Sequence, residues 1–152
     1  MVATSKNPRL YSRLQIAAQQ LRKVTDRQLV EAAGITAPQY GVLVRVAAAE
    51  ELNQTSLARE LRLNDSAITA MVKRLIGLGM LKKARSKADS RAWVLTLTAE
   101  GERAMERVHG TVLSINEKID AEFGPGKLDD FVDKLNRLIA LCDEEQAADA
   151  EA

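Results

Sequence analysis

The stretch TSLARELRLNDSAITAMVKRLIGLGMLKKARSKADSRAWVLTL, residues 55–97, carries the main structural signal of this 152-residue chain. Apolar residues at helical spacing predict a short helix over about 55–62 and a second helix over about 65–78. Only about two residues separate the helices, and Asn64 or Asp65 is placed to cap the second one. The stretch therefore begins with a helix–turn–helix.

The second half of the stretch has strand character. The glycine-containing segment 77–79 ends the second helix, and residues 81–85 and 91–97 then contain branched, aromatic and alternating side chains. The polar segment 86–90 predicts a turn between two strands, so we expect a small β-hairpin with a basic tip. Its basic side chains are Lys82, Lys83, Arg85, Lys87 and Arg91.

Long amphipathic helices are predicted before this stretch. Helical spacing of apolar residues begins at Leu10 and closes at Gly34. Thr36 and Gln39 form a capping box that opens a second helix, which continues to about Ala49. The chain thus reaches the helix–turn–helix through two helices.

Two further helices are predicted after the hairpin. Thr98 caps a long helix that the segment 124–126, Gly-Pro-Gly, breaks, and a last helix runs from Leu128 through Cys142. The whole pattern predicts a mainly α fold: a winged helix–turn–helix with a small β-hairpin wing, flanked by N- and C-terminal helices. Apolar stripes on the flanking helices lie outside the winged lobe, and one chain is too small to cover them all. We therefore expect a homodimer.

Charge is distributed unevenly, although the net charge is only +1. Residues 59–91 carry nine basic and three acidic side chains, whereas residues 116–152 carry four basic and eleven acidic ones. A hydrophobic fraction of 46% and five aromatic residues indicate a folded, mainly helical protein. No apolar run approaches the roughly 20 residues that span a bilayer. No apolar stretch follows Lys6, Arg9 and Arg13, so a soluble cytoplasmic protein is expected.

The basic lobe suits double-stranded DNA. A major groove about 12 Å wide admits one α-helix, and small polar side chains at its N-terminal end allow close approach to base edges. Each charge alone would be an ordinary solvated residue, but +6 over residues 59–91 coincides with a helix–turn–helix and a hairpin. The helical residues expected to face outward are Ser66, Ala67, Thr69, Ala70, Lys73 and Arg74.

The sequence contains no pattern typical of an enzyme. His109 is the single histidine and Cys142 the single cysteine, so no cofactor, metal site or disulfide framework is expected. Cys142 continues an apolar stripe, which favours a core or dimer-interface position over a redox role.

Residues 36–101 resemble the MarR family of transcriptional regulators, and the element order of the whole chain fits that family. The segments that carry the resemblance are 36–40 (TAPQY), 57–61 (LAREL), 74–81 (RLIGLGML), 89–91 (DSR) and 97–101 (LTAEG). No single segment is specific, but five in order with suitable spacing are strong evidence.

The resemblance implies a triangular homodimer that binds a pseudo-palindrome. Residues 1–35 and 99–146 would form the helical dimerisation region, 36–98 the DNA-binding lobe, and 147–152 an acidic tail. Carried over by position, the residues of the DNA-binding site would be Ser66, Thr69, Ala70, Lys73, Arg74, Arg85, Lys87, Asp89 and Arg91, with Asp89 orienting Arg91 as the wing arginine.

Two residues depart from the family pattern. Ala70 stands where relatives often have a larger polar or basic residue, which weakens the case for base readout at that position. Arg62 replaces a small residue, often glycine, in the turn; it either adds a phosphate contact or only shifts the turn.

Many members of the family also bind a small anionic aromatic molecule that lowers DNA affinity. The residues suited to such an effector are Tyr11, Arg13, Arg22, Tyr40 and Arg45, and the alternative for each is a solvated arginine or a packing tyrosine. An aromatic acid, an acyl-CoA, an oxidant or no effector at all remain open.

Three functions are compatible with these features. The leading hypothesis is a sequence-specific dimeric repressor that an effector releases from its operator. The second is a non-specific architectural DNA-binding protein, whose affinity would follow salt but hardly change with sequence. The third, a helical interaction module without DNA binding, would be expected to lack the basic residues Arg85, Lys87 and Arg91.

Overall fold

The computed structural model of the protein describes residues 10–150. It confirms the mainly helical architecture with one two-stranded antiparallel hairpin. The expectation based on Lys6 and Arg9 lies outside the described residues. The elements are α1 (Leu10–Ala33), α2 (Ala37–Ala48), α3 (Gln54–Glu60), α4 (Asp65–Gly77), β1 (Leu81–Arg85), β2 (Trp93–Leu97), α5 (Ala99–Phe123) and α6 (Lys127–Ala150).

Side-chain caps fix where the short helices begin. Thr36 is the N-cap of α2, and its backbone N–H donates to Gln39 Oε1 at 2.9 Å, as the capping box predicts. Asn64, rather than Asp65, caps α4 by accepting from the Ala67 N–H at 2.8 Å. These bonds satisfy backbone donors that a helix start otherwise leaves without a partner.

Arg62 adopts a left-handed backbone conformation in the turn between α3 and α4, with φ of 51°. This region favours glycine, because a Cβ atom there crowds the backbone. The Leu63 N–H donates to Ala58 O at 3.0 Å and closes the end of α3. Arg62, which departs from the family pattern, is therefore the residue that makes the turn.

One apolar core holds α2, α3, α4 and the hairpin together. Helix α4 contributes Ile68, Val72 and Leu75 to this core, whereas Ile76 near its C-terminal end is 37% exposed. Burial of the remaining large side chains supplies most of the stability of the lobe. Core residues with no exposed surface include Ile35, Val42, Leu43, Leu57, Ile68 and Leu75.

A short segment of the loop between α2 and α3 pairs with the second strand of the hairpin. The register pairs Leu81 with Leu97 and Arg85 with Trp93. An isolated antiparallel bridge joins Leu52 to Leu95, whose N–H donates to Leu52 O at 2.8 Å. The loop between α2 and α3 is therefore fixed against the wing.

The second strand starts later than the sequence predicted. Arg91 lies in the turn rather than in β2, because the Ala92 N–H donates to Asp89 O at 2.9 Å. Ala92 O in turn accepts from the Ser86 N–H at 3.0 Å, which closes the turn. The exposed tip of the wing is correspondingly longer.

The chain divides into two compact units, Met1–Val112 and Leu113–Ala152. Their boundary lies inside α5 and does not coincide with the bounds 1–35, 36–98 and 99–146, whose assignment to dimerisation and DNA binding stays a prediction. Within the second unit, the rings of Phe123 and Phe131 pack with centroids 5.1 Å apart. Residues 147–150 of the expected acidic tail continue α6.

A close backbone contact joins the start of the hairpin to α5. Thr98 Oγ1 accepts from the Gly101 N–H at 3.1 Å, which confirms Thr98 as the cap. Its hydroxyl also donates to Gly79 O at 2.5 Å, while the Thr98 N–H donates to Met80 O at 3.1 Å. A Cβ atom on Gly101 would overlap Met80 O and lie 3.0 Å from the Leu97 side chain. The absence of a side chain at Gly101 is therefore what permits this approach.

We expect Gly101→Ala to lower the free energy of unfolding by about 2–3 kcal/mol, because the added methyl group must displace the Met80 backbone. Gly110→Ala is the matched control on the same helix, since a Cβ atom there has nothing within 4 Å. That control should gain up to about 1 kcal/mol from helix propensity. Urea denaturation measures both, and equal effects of the two substitutions would contradict the close contact.

Candidate nucleic-acid interface

The outward face of α4 is exposed as the sequence predicted. Ser66, Thr69, Ala70, Lys73 and Arg74 are all exposed, while Ile68, Val72 and Leu75 on the opposite face are buried. Ala67, also expected outward, is half-buried. The helix therefore presents small side chains near its start and cations further along.

Two hydroxyl groups on this face have defined hydrogen-bond partners. Ser66 Oγ donates to Asn64 Oδ1 at 2.8 Å, so it belongs to the N-cap of α4. Thr69 Oγ1 accepts from Gln54 Nε2 at 2.7 Å. Gln54 comes from the first turn of α3 and was not among the residues that the sequence singled out. Because Gln54 and Thr69 are 15 residues apart, no local sequence pattern predicts their contact.

A small cleft lies beside Thr69, with a volume of about 260 Å³. Lys73 from α4 and Lys83 from β1 flank it, so two cations converge on a space that also contains a hydroxyl and an amide. Such a set of donors suits a phosphate oxygen. The lining residues are Gln54, Thr69, Val72, Lys73, Ile76 and Lys83.

The wing arginines differ in their surroundings. The Arg85 guanidinium lies 4.0 Å from the centroid of the Trp93 ring, and its Nη1 donates to Arg91 O at 3.1 Å. Arg85 therefore stabilises the wing through a cation–π contact and a backbone bond. Lys87 and Arg91 are exposed at the tip.

Asp89 contacts the backbone of Arg91. Asp89 Oδ1 accepts from the Arg91 N–H at 2.9 Å. This contact with the main chain is typical of aspartate in turns, and the expected role of Asp89 in orienting the Arg91 side chain stays a prediction.

Glu51 bonds to the wing from the loop between α2 and α3. Its Oε2 accepts from Ser86 Oγ at 2.5 Å, and its Oε1 accepts from the Lys87 N–H. Ser86 is only 8% exposed, and its Oγ also accepts from the N–H groups of Ala88 and Asp89 at 3.1 and 3.0 Å. The Ser86 hydroxyl and then the Lys87 N–H hold the pKa of Glu51 below its usual range.

The residues proposed for effector binding lie on α1 and α2. Tyr11 is 73% exposed, and its hydroxyl accepts from Gln15 Nε2 at 2.7 Å. Arg13 and Arg45 are also exposed, whereas Tyr40 is half-buried against the core. The structure thus places these side chains on one compact unit but in different environments.

Arg22 pairs with Asp26 through an Nε to Oδ2 distance of 3.4 Å. Asp26 Oδ1 also accepts from the Ala37 N–H at 2.6 Å and so joins α1 to the start of α2. An open cavity of about 600 Å³ is lined by Arg22 and Asp26 together with Ala18, Gln19 and Lys23. Of the proposed effector residues, Arg22 is therefore the one in contact with this cavity.

The described part of the chain, residues 10–150, lacks two kinds of feature. Within that range, no group of three or more histidine, cysteine, aspartate or glutamate side chains is arranged to hold a metal ion. None of the helices in that range is long and apolar enough to cross a membrane. Cys142, expected in a core or interface, is exposed in the single chain.

Comparison with known proteins identifies relatives of the winged lobe. The model of the MarR family matches residues 35–93. The organic hydroperoxide resistance transcriptional regulator of Bacillus subtilis is 28% identical over 95 residues, which cover 60% of this chain and 65% of that regulator. The match thus spans slightly less than two thirds of that relative.

Solved structures match over most of the chain. The PcaV transcriptional regulator of Streptomyces coelicolor, solved in complex with its natural ligand, is 29% identical with a TM-score of 0.73, covering 92% of this chain and 96% of PcaV. Sco3205, a MarR family regulator from the same organism solved in complex with DNA, is 24% identical with a TM-score of 0.75. That match covers 86% of this chain and 82% of Sco3205, and it supports the winged-helix fold.

Proposed function

This chain belongs to the MarR family of transcriptional regulators, and on that basis we propose that it represses transcription as a homodimer on a pseudo-palindromic operator. Members of the family are transcriptional regulators and not enzymes. We further propose that a small-molecule effector releases the dimer from DNA. A regulator of this kind works where the chromosome is, which implies a cytoplasmic location.

The exposed face of α4 is the observation that carries this proposal. It presents small polar side chains at the helix start, cations after them, and an apolar back held in the core. A helix of this kind enters the major groove with its N-terminal residues toward base edges. Lys73 and Arg74 would then contact phosphates, and Lys87 and Arg91 would reach the neighbouring groove from the wing.

The hydrogen bonds of the two hydroxyls suggest different base preferences. Thr69 Oγ1 accepts from Gln54, so its own proton is available to donate to an acceptor such as guanine O6 or thymine O4. Ser66 Oγ donates to Asn64, so its lone pairs are available to accept from adenine N6 or cytosine N4. Ala70 offers only a methyl group, which suits the methyl group of thymine.

Exposed apolar side chains support the dimer. Leu10 is 58% exposed on α1, and Ile139 and Leu141 are 42% and 53% exposed on α6. Complete burial of each such side chain contributes about 1.5–3 kcal/mol of favourable free energy. A two-fold axis buries equivalent patches in both chains and relates two recognition helices as an inverted repeat relates its half-sites.

The proposed effector is a small anionic aromatic molecule or an acyl-CoA. The cations Arg13, Arg22 and Arg45 and the phenols Tyr11 and Tyr40 suit a carboxylate or phosphate attached to an apolar body. PcaV, which is 29% identical, was solved with its natural ligand. That this chain also binds a ligand is part of the proposal.

A non-specific architectural DNA-binding protein is the second candidate. Ala70 favours it, because a methyl group in the middle of the exposed face makes no hydrogen bond to a base. Selection of bound duplexes from a random pool separates the two candidates. A repressor should enrich an inverted repeat with half-sites about one helical turn, roughly 10 bp, apart. Salt-dependent binding without enrichment would instead support the architectural role.

Arg91→Ala should weaken binding to the selected duplex, because the wing loses an exposed cation. The slope of log affinity against log salt should fall by about one unit for each phosphate that the variant no longer neutralises. Arg137→Ala, which removes an exposed arginine from α6, is the control and should leave the slope unchanged. An unchanged slope in folded Arg91→Ala would exclude a phosphate contact at the wing tip.

Light scattering should give twice the mass of the 152-residue chain at micromolar concentrations. Ile139→Asp, which places a charge on the exposed apolar stripe of α6, should shift the protein toward monomer and weaken operator binding. A folded wild-type monomer that binds a single half-site with full affinity would overturn both the dimer and the palindrome.

A further inference from the structure

We infer that Glu51 is a positioning residue for DNA binding: its carboxylate fixes the wing turn, residues 86–91, in the conformation that presents Lys87 and Arg91. The inference rests on the proposed function, since it concerns how the wing meets DNA. Glu51 is far from the wing in sequence and belongs to neither α4 nor the hairpin.

A continuous series of hydrogen bonds connects Glu51 to Arg91. The carboxylate accepts from Ser86 Oγ and from the Lys87 N–H. Ser86 Oγ accepts from the Asp89 N–H at 3.0 Å, and Asp89 Oδ1 accepts from the Arg91 N–H at 2.9 Å. Glu51 therefore holds the Ser86 hydroxyl and the Lys87 backbone, and Ser86 and Asp89 in turn restrain the backbone of Asp89 and Arg91.

The loop that carries Glu51 is itself fixed. Its neighbour Leu52 is 4% exposed and pairs through its backbone with Leu95 on β2. The carboxylate is thus attached to the rigid part of the lobe, while the turn that it contacts is otherwise exposed. Without this contact the turn would keep only its internal bonds, such as that from the Ser86 N–H to Ala92 O, and DNA binding would have to supply the remaining order at a loss of affinity.

Because Glu51 is negatively charged, a positioning role and a purely electrostatic role predict opposite effects of its neutralisation on DNA affinity. A carboxylate within a basic, DNA-facing lobe repels phosphates, so its neutralisation alone should tighten DNA binding. Hydrogen bonds from the Ser86 hydroxyl and the Lys87 N–H hold its pKa below the usual range, so it stays ionised at neutral pH. Positioning therefore predicts the opposite sign: the neutral variant should bind DNA more weakly.

The test compares Glu51→Gln with Glu50→Gln on the selected duplex. Both variants remove one negative charge from adjacent exposed residues of the same loop. Glu51→Gln should lose about tenfold in affinity, the scale of one hydrogen bond to a charged group. Glu50→Gln should bind as well as the wild type or slightly better. Equal tightening by both variants would overturn the inference.

A double-mutant cycle tests whether Glu51 acts through the wing. In a background that lacks both cations, Lys87→Ala/Arg91→Ala, Glu51→Gln should reduce affinity less than about twofold, because the side chains that it positions are already absent. Additive losses would show that Glu51 affects binding by another route and would also overturn the inference.

Amide exchange in the free protein tests the contact without DNA. Glu51→Gln should accelerate exchange at Lys87, Ala88 and Asp89, whereas the Leu95 amide, bonded to Leu52 O, should keep its protection. The fluorescence of Trp93, the single tryptophan, should also change, since Arg85 packs on its ring. Unchanged exchange at all three wing amides would contradict the positioning role.

Ser86→Ala gives an independent variant if Glu51→Gln also loosens Leu95. It removes the shared hydroxyl at nearly constant volume, so exchange at Ala88 and Asp89 should accelerate and affinity should fall in the same direction as for Glu51→Gln.

If the wild-type protein binds no duplex, the proposed function fails while the exchange data still test the contact. If exchange accelerates but affinity does not change, the inference fails and the proposed function stands.

Discussion

The close approach of α5 to the Met80 carbonyl holds the parts of the lobe in their arrangement. Gly101 permits the approach because it has no Cβ atom, and Thr98 bonds to both Gly79 and Met80 while it caps α5. The end of α4, the first strand of the wing and the start of α5 are therefore fixed together. Since α4 and the hairpin meet at this junction, it sets the angle between the two surfaces proposed to contact DNA.

Burial and hydrogen bonding have different roles within the lobe. The apolar core, with side chains such as Leu57, Ile68 and Leu75 fully buried, determines that the elements pack. Polar contacts then fix details that apolar packing leaves free: the hydroxyl of Thr69 through Gln54, and the wing turn through Glu51. Hydrogen bonds are directional, and apolar contacts are not, so the polar contacts set the orientation of the exposed groups.

The second unit has a different physical character. No residue of α6 whose side chain is described is buried, and its apolar residues Val132, Ile139 and Leu141 are exposed in the single chain. Contiguous patches of large exposed apolar side chains are typical of binding surfaces. The proposed dimer would cover Val132 and Ile139, which are seven residues apart on one face of α6, and Cys142, which is exposed three residues after Ile139.

Much of the fold could be predicted from the sequence, because it depends on residues that are close together in the chain. The helix–turn–helix, the hairpin and the caps at Thr36 and Thr98 are of this kind. Only folding brings Glu51 to Ser86, 35 residues away, and Gln54 to Thr69, 15 residues away. An exposed glutamate or glutamine has no periodicity or spacing that predicts a distant partner. Its role becomes visible only when the core has brought the two segments together, because that packing sets which donors face the side chain.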